Sequence, residues 1–329
     1  MLKIGLTYDL KDDYLKEGYN EEETAELDRP DTIDAIDAAI QSHGYRTERI
    51  GNIFQLNQHL AERHRWDLVF NICEGMHGLG REALVPALLD AYRIPYTFSE
   101  PLVLSLTLHK GFAKSVVRDL GVPTPDFALV DQADDIDRID LPFPLFAKPV
   151  AEGSGKGISS TSIIHDRDQL RSVCRELLQH YQQQVLVERY LSGREFTAGI
   201  VGTGSRARVI GAMEVIFHQN REGNIYSYQN KKNYEEIVEY RLVEPEIFKQ
   251  CETIALQVWQ GLYCRDAGRI DLRMDDSGRV HFLEINPLAG LHPIHSDLPI
   301  ICSLIGTPYS SLIGDIVNSA LERAGRPVQ

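Results

Sequence analysis

Through the first hundred residues, short aliphatic and β-branched runs alternate with helix-period segments, a pattern that commits this part of the chain to a parallel sheet covered on both faces. Leu2 to Tyr8 reads as a strand. Asp31 is placed to cap a helix carrying Ile33, Ile36, Ala39 and Ile40 on one face and ending at Gly44. A strand at 45–50, a helix at 56–64, the apolar strand Trp66–Ile72, a helix from Ala83 to Tyr92 and a strand at Pro95–Phe98 complete a βαβαβ order. Between the first strand and its helix lies the acidic stretch 9–31, whose composition reads as a solvated loop.

The pattern changes at Pro101. A long helix runs to Leu120 and is closed by Gly121, and two prolines stiffen the Val122–Pro125 linker. Strands at 127–130 and 144–148, a glycine-rich turn at 152–157, a β-branched run at 158–164 read as a strand, a helix at 168–180 and a strand at 185–189 form a smaller α+β unit. Strands at 195–201 and 208–217 follow, then a polar, Tyr-rich stretch at 218–234 and a helix at 245–262. A hairpin turning at Asp275–Gly278 and a helix at 309–323 finish the chain. Over 329 residues this implies three domains, 1–98, 99–187 and 188–329, of α/β and α+β class.

Charge narrows the partners. The 48 acids outnumber the 34 Lys and Arg residues, giving a net charge of −14, the wrong sign for a broad face that tracks nucleic acid. An anionic ligand therefore needs a few local cations. No apolar run reaches membrane-spanning length and the first residues lack a signal-peptide core, so no membrane partner and a cytoplasmic location are expected. The five cysteines are scattered, with no C-x-x-C pair, and read as small buried hydrophobes.

Two segments carry chemistry. Glu152-Gly-Ser-Gly-Lys-Gly157 has the small residues that let backbone N–H groups approach phosphate oxygens, with Lys148 ending the strand before it. It fits neither a dinucleotide fingerprint nor a P-loop and reads as a lid between two strands. The stronger segment is Gly268 to Asn286. Strict alternation on either side of the 275–278 turn puts Arg269, Asp271 and Arg273 on one face with Val280, Phe282, Glu284 and Asn286. It sets Arg269 opposite Glu284, with Asp271 on the diagonal. Hard oxygen donors so grouped suit Mg²⁺ shared with nucleotide phosphates.

These segments stand in an order that resembles ATP-grasp enzymes, and the D-alanine:D-alanine ligase-like family in particular. The matching pieces are Lys148-Pro with Glu152-Gly-Ser, Val187-Glu-Arg-Tyr-Leu-Ser-Gly-Arg-Glu-Phe-Thr197, Tyr226-Ser-Tyr-Gln-Asn-Lys231, Gly268-Arg-Ile-Asp271, Glu284-Ile-Asn286 and Gly290, spread over roughly residues 66–325. The resemblance implies an ATP-grasp fold behind an N-terminal Rossmann-like parallel-sheet domain. It implies an ATP-dependent carboxylate-amine ligase acting through an acyl phosphate, with ATP and two Mg²⁺ (Mn²⁺ substituting) as cofactors, small amino acids or other carboxylates and amines as substrates, and a homodimer. Residue by residue, it implies phosphate contacts at Lys110 and Lys148, nucleotide contact at the lid residue Glu152, base contacts at Glu188 and Leu191, and a ribose contact at Glu195. Lys231 is the implied loop lysine. Asp271, Glu284 and Asn286 are the implied metal ligands, Arg269 the arginine beside the transferred phosphate, Gly290 the oxyanion donor and Ser154 the lid serine at the substrate.

The chain departs from that pattern where substrate is chosen. Thr7-Tyr-Asp-Leu10 and the acidic stretch replace a glycine-rich turn with a Ser-Glu pair. Lys232 stands where the family has tyrosine, with Tyr234 nearby; the lid's paired serines are Ser154-Gly155; and Pro287-Leu-Ala-Gly290 leaves Ser296 displaced by one residue. Glu74, His77, Arg81 and Glu82 lie beyond the carboxyl end of a parallel strand, where ligands bind in such sheets, and are the expected readers of an amino acid's charged groups. Local salt bridges would explain His77 and Glu82 equally well. A phosphotransferase that stops after phosphate transfer and an ATP-binding regulatory protein without turnover are the competing functions.

Overall fold

The computed structural model describes residues 1–217 and 238–328. Among them the chain builds three sheets, each with its own apolar interior. Strands β1 (Lys3–Thr7), β2 (Arg46–Gly51) and β3 (Leu68–Asn71) pair in parallel in the order β2-β1-β3. The strand expected at Pro95–Phe98 contributes a single bridge, Val69 to Tyr96. Helices α2 (Pro30–Ser42), α3 (Ile53–Ala61) and α4 (Leu84–Ala91) make the crossovers. Helix α2 starts one residue before the expected cap: Pro30 takes the first helical position, where its missing N–H costs nothing, and Arg29 precedes it without a side-chain cap.

The acidic stretch is not a solvated loop. It forms the short helix α1 (Lys11–Lys16), bridges Leu10 to Asp28, and buries Asp9, Thr24 and Leu27. Its buried Asp9 is compensated by specific donors, which composition alone does not reveal: Asp9 accepts from Tyr14 Oη at 2.6 Å and from the Gly75 N–H at 2.9 Å.

The long helix after Pro101 is two helices, α5 (Pro101–Leu108) and α6 (Lys110–Asp119), broken at His109. Thr107 Oγ1 bonds back to the Val103 and Leu104 carbonyls, and His109 Nδ1 accepts from the Phe112 N–H, so the ladder is interrupted by side chains that compete for it. The second sheet, in the order β4-β7-β5-β6, is antiparallel and consists of β4 (Phe127–Val130), β5 (Leu145–Pro149), β6 (Ile163–Ile164) and β7 (Val185–Arg189), backed by α7 (Arg167–Tyr181). The strand expected over 158–164 shrinks to Ile163–Ile164. Its serines turn the preceding residues into a 3₁₀ turn, Ser160–Ser162, with Ser159 Oγ accepting from the Thr161 N–H and Ser162 Oγ from the Ser159 N–H.

The third sheet is antiparallel in the order β10-β9-β8-β11-β12, from β8 (Glu195–Val201), β9 (Arg208–Phe217), β10 (Val238–Leu242), β11 (Ala267–Met274) and β12 (Val280–Asn286). Helix α8 (Pro245–Gly261) covers one face with Cys251, Ile254, Ala255, Val258 and Trp259. Helices α9 (Asp297–Leu304) and α10 (Tyr309–Arg323) return to the first sheet, where Leu312, Ile313, Ile316 and Val317 share a core with Ile33, Ile36 and Ile40. All five cysteines are buried, as their composition suggested. No single described helix is long and apolar enough to cross a membrane.

One glycine marks how tightly the third sheet is packed. A Cβ on Gly268 would lie 2.6 Å from the Asn286 carbonyl oxygen and 2.7 Å from the Trp259 ring. Gly268→Ala is expected to lower stability by about 2–3 kcal/mol, read as a lower urea midpoint at unchanged slope. An unshifted midpoint would mean the hairpin base yields without cost.

Candidate active site

The second and third sheets, with residues 25–29 of the acidic stretch and the loop after β3, enclose a cleft of about 810 Å³. On β11 alternation holds as expected: Ile270, Leu272 and Met274 enter the core while Arg269, Asp271 and Arg273 face the cleft. On β12 it does not. The ladder pairs Leu272 with Phe282 but Asp271 with Glu284, leaving Leu283 as an extra residue. This bulge reverses the phase of the strand, so Val280 and Phe282 are buried on the core side while Glu284 and Asn286 turn to the cleft. The register expected from strict alternation is corrected accordingly: Asp271 lies directly opposite Glu284, and Arg269 opposite Asn286.

Neighbouring strands complete these rows. Thr197 lies opposite Asp271 on β8, and its Oγ1 donates to Asp271 Oδ1 at 3.0 Å. Asn286 Nδ2 donates to Asp271 Oδ2 at 3.3 Å, and Arg269 pairs with Asp271 and, at 3.3 Å, with Asp297. Glu195 lies opposite Arg273 and pairs with it at 3.0 Å. Burial pushes Asp271 up to about 7, against the pull of Arg269. Burial raises Glu195 as well, with Arg273 opposing it.

Three lysines enter from the second sheet and the broken helix. Lys148 Nζ lies 3.2 Å from Glu284 Oε2 and 3.6 Å from Glu188 Oε1. Lys110 occupies the first turn of α6; its Nζ donates to the Glu152 carbonyl at 2.6 Å and sits 3.8 Å from Glu284. The break at His109 frees the Lys110 N–H to reach the Val150 carbonyl at 3.0 Å, which fastens this turn to the lid. Lys114, one helical turn on and fully buried, pairs with Glu188 at 2.7 Å and donates to Thr124 Oγ1. Burial by itself would raise Glu284, yet Lys110, Lys148 and Arg269 together hold it well below the carboxylate range. Lys148 is the counterpart: burial opposes its charge, but Glu284 and Glu188 keep its pKa above the ordinary value.

The glycine-rich lid is tied to the acidic strap. Glu26 pairs with Arg81 at 2.8 Å and with Lys156 at 2.6 Å, and accepts from the Gly153 N–H at 3.3 Å. Tyr181 Oη donates to Glu22 at 2.6 Å, and Gln183 Nε2 to Glu152 at 2.7 Å. Ser154 stands at the lid tip with φ +55°.

Of the residues singled out from sequence, Lys110, Lys148, Glu152, Ser154, Glu188, Leu191, Glu195, Arg269, Asp271, Glu284, Asn286, Gly290, Ser296, Glu74 and Glu82 all line the cleft. Lys231, Lys232 and Tyr234 lie outside the described residues. His77 and Arg81 are not part of the cleft lining: His77 Nε2 lies 3.0 Å from Tyr19 Oη, and the Arg81 guanidinium is engaged by Glu26 and the Ala151 carbonyl. Sequence reasoning passed over Lys114, although its i,i+4 spacing from Lys110 places both on one helix face. It also passed over Thr197 and Asp297, and Glu26, which nothing in an acidic run distinguishes.

A family model described as D-ala D-ala ligase C-terminus matches residues 116–318. The uncharacterized protein y4sG of Sinorhizobium fredii is 33% identical over 261 residues, covering 78% of this chain and 75% of that protein. The D-alanine–D-alanine ligase of Aquifex aeolicus is 30% identical over 253 residues, covering 76% and 81%. Among solved structures, the D-alanine–D-alanine ligase of Bacillus anthracis superposes with a TM-score of 0.75 at 20% identity over 99% of both chains, and its complex with ATP with a TM-score of 0.73 at 20% identity, again over 99% of both. The likeness bears out the expected ATP-grasp fold with a parallel N-terminal sheet.

Proposed function

Since this chain belongs to the D-alanine–D-alanine ligase family, we propose that it is an ATP-dependent ligase that joins a small carboxylic acid to an amine through an acyl phosphate. The observation that carries this reading is the convergence of Lys110 and Lys148 on Glu284, in the same row of the sheet as Asp271 and beside Arg269 and Asn286. A protein that only senses nucleotide has no need of that full set.

The donors fit the expected metal. Asp271 and Glu284 offer carboxylate oxygens and Asn286 an amide oxygen, all hard ligands, and their charge is balanced in this structure by protein cations that nucleotide phosphates would share. These three residues would hold Mg²⁺, which supplies charge neutralisation at the phosphoryl oxygens when bound. Lys110 and Lys148 hold phosphate oxygens. Glu188 and Leu191 contact the base and Glu195 the ribose, while Lys114 keeps Glu188 ionised and in place.

Chemically, a substrate carboxylate oxygen attacks the γ-phosphorus of ATP and ADP leaves. The amine nitrogen then adds to the acyl carbon, the carbon–oxygen bond to phosphate breaks, and inorganic phosphate and a proton depart as the amide forms. Arg269, held in place by Asp271 and Asp297, offsets charge on the moving phosphoryl group. The Gly290 N–H meets the oxyanion, and Ser154 contacts substrate from the lid. Glu152 and Arg81 position the lid, which keeps water from the acyl phosphate.

The test is ADP release with Mg²⁺ across pairs of D- and L-amino acids and other small acids, with product masses recorded. Release that requires both an acid and an amine, and yields their condensed mass, is the expected result. Release with an acid alone would mark a phosphotransferase, and tight ATP binding without turnover a regulatory protein.

A further inference from the structure

Charge at the amino-terminal end of the cleft does not balance. Glu26 and Glu152 are matched by Arg81 and Lys156. Three more carboxylates border the same end: Asp28 from the strap, Glu74 from the loop after β3, and Glu82 from the 3₁₀ turn Arg81–Ala83. Among the described residues none of these three carboxylates accepts a hydrogen bond or forms an ion pair. Glu82 is the clearest case, being only 9% exposed and yet bordering the cleft without a partner.

Nearby cations are committed elsewhere. Arg29 pairs with Asp31 at 2.7 Å and His292 contacts Asp31 at 3.3 Å. Lys110 points to the Glu152 carbonyl and Glu284. Burial pushes Glu82 up to about 7 and Asp28 up to about 8, and it raises Glu74, with repulsion from Glu82 adding to that. Arg81 pulls against these shifts at Glu82 and Glu74, and Lys110 at Glu82, without outweighing burial.

Resting on the ligase reading, we infer that the amino acid held against this wall carries a second cationic group besides its α-ammonium, making it a diamino carboxylate. One α-ammonium satisfies one carboxylate. A neutral side chain would leave two of the three carboxylates Asp28, Glu74 and Glu82 uncompensated, whereas a second ammonium leaves one.

The experiment compares ADP release for isosteric pairs in both enantiomers: 2,3-diaminopropionate against 2-aminobutyrate, ornithine against norleucine, and lysine against 2-aminoheptanoate. In at least one pair the diamino member is expected to win by about tenfold or more in kcat/KM. Glu82→Gln should cut that advantage about tenfold, through KM. Glu74→Gln, at a more open position, repeats the test should Glu82→Gln fold poorly. Robust release that favours the neutral member of every pair would overturn this inference and leave the ligase standing. No release with any acid would overturn both.

Discussion

Glu284→Gln is expected to lower ADP release by at least about a thousandfold while leaving far-UV circular dichroism unchanged. The substitution keeps the shape of a side chain that points into the cleft from β12 but removes the charge on which Lys110 and Lys148 converge. It also removes one of the three oxygen ligands assigned to the metal. Lys148 retains Glu188 at 3.6 Å, so folding has a remaining countercharge and the loss falls on chemistry. Lys148→Ala is expected to abolish release in the same way. Activity within tenfold of the unsubstituted enzyme for either variant would withdraw the phosphate and metal assignments.

Glu26→Gln has the second largest expected effect, and on a different observable. Burial opposes ionisation of Glu26, but Arg81 and Lys156 outweigh it and hold the carboxyl down to about 2, against an ordinary value of 4.5. A group whose folded pKa lies below its unfolded one contributes stability that is complete above the unfolded value and is lost as pH falls through the folded one. For Glu26 that window runs from about pH 4.5 down to about 2, and the contribution is roughly 3 kcal/mol. The glutamine variant should therefore be less stable by about that amount at neutral pH and should lose stability less steeply between pH 5 and 2. Denaturant unfolding at a series of pH values reads both. The lid consequence is separate: with the strap released, ADP should form in excess over amide because water reaches the acyl phosphate. Equal acid slopes for the two proteins would remove Glu26 as the clasp.

Much of this molecule is legible in its residues. The βαβ alternation, the helix face Ile33, Ile36, Ala39 and Ile40, and the hairpin bearing Asp271 and Glu284 follow from local periodicity, and the structure contains them. What escaped depends on contacts distant in sequence or on side chains that compete with the backbone. Leu283 is apolar within an apolar run, so nothing local marks it as the bulged residue. His109 breaks a helix because Val150 and Gln184, 41 and 75 residues away, offer its turn other partners. Ser159 to Ser162 interrupt a run that β-branched neighbours make look like a strand. Glu26 stands out from its acidic neighbours only through Arg81 and Lys156, which the fold brings to it.

The bulge at Leu283 divides the hairpin into two halves that answer to different demands. Toward the turn, side chains are set by the core against α8; toward the base, they are set by the cleft. Insertions at Asp275–Gly278 can therefore lengthen the hairpin without moving the cleft-facing oxygens of Asp271, Glu284 and Asn286. Loss of one codon at Leu283 would close the bulge and keep Glu284 opposite Asp271 on the cleft side, whereas loss of one codon at Ile285 would turn Asn286 to the core face. Length is thus free at the tip, while below the bulge each single-residue step turns the following side chains from the cleft to the core.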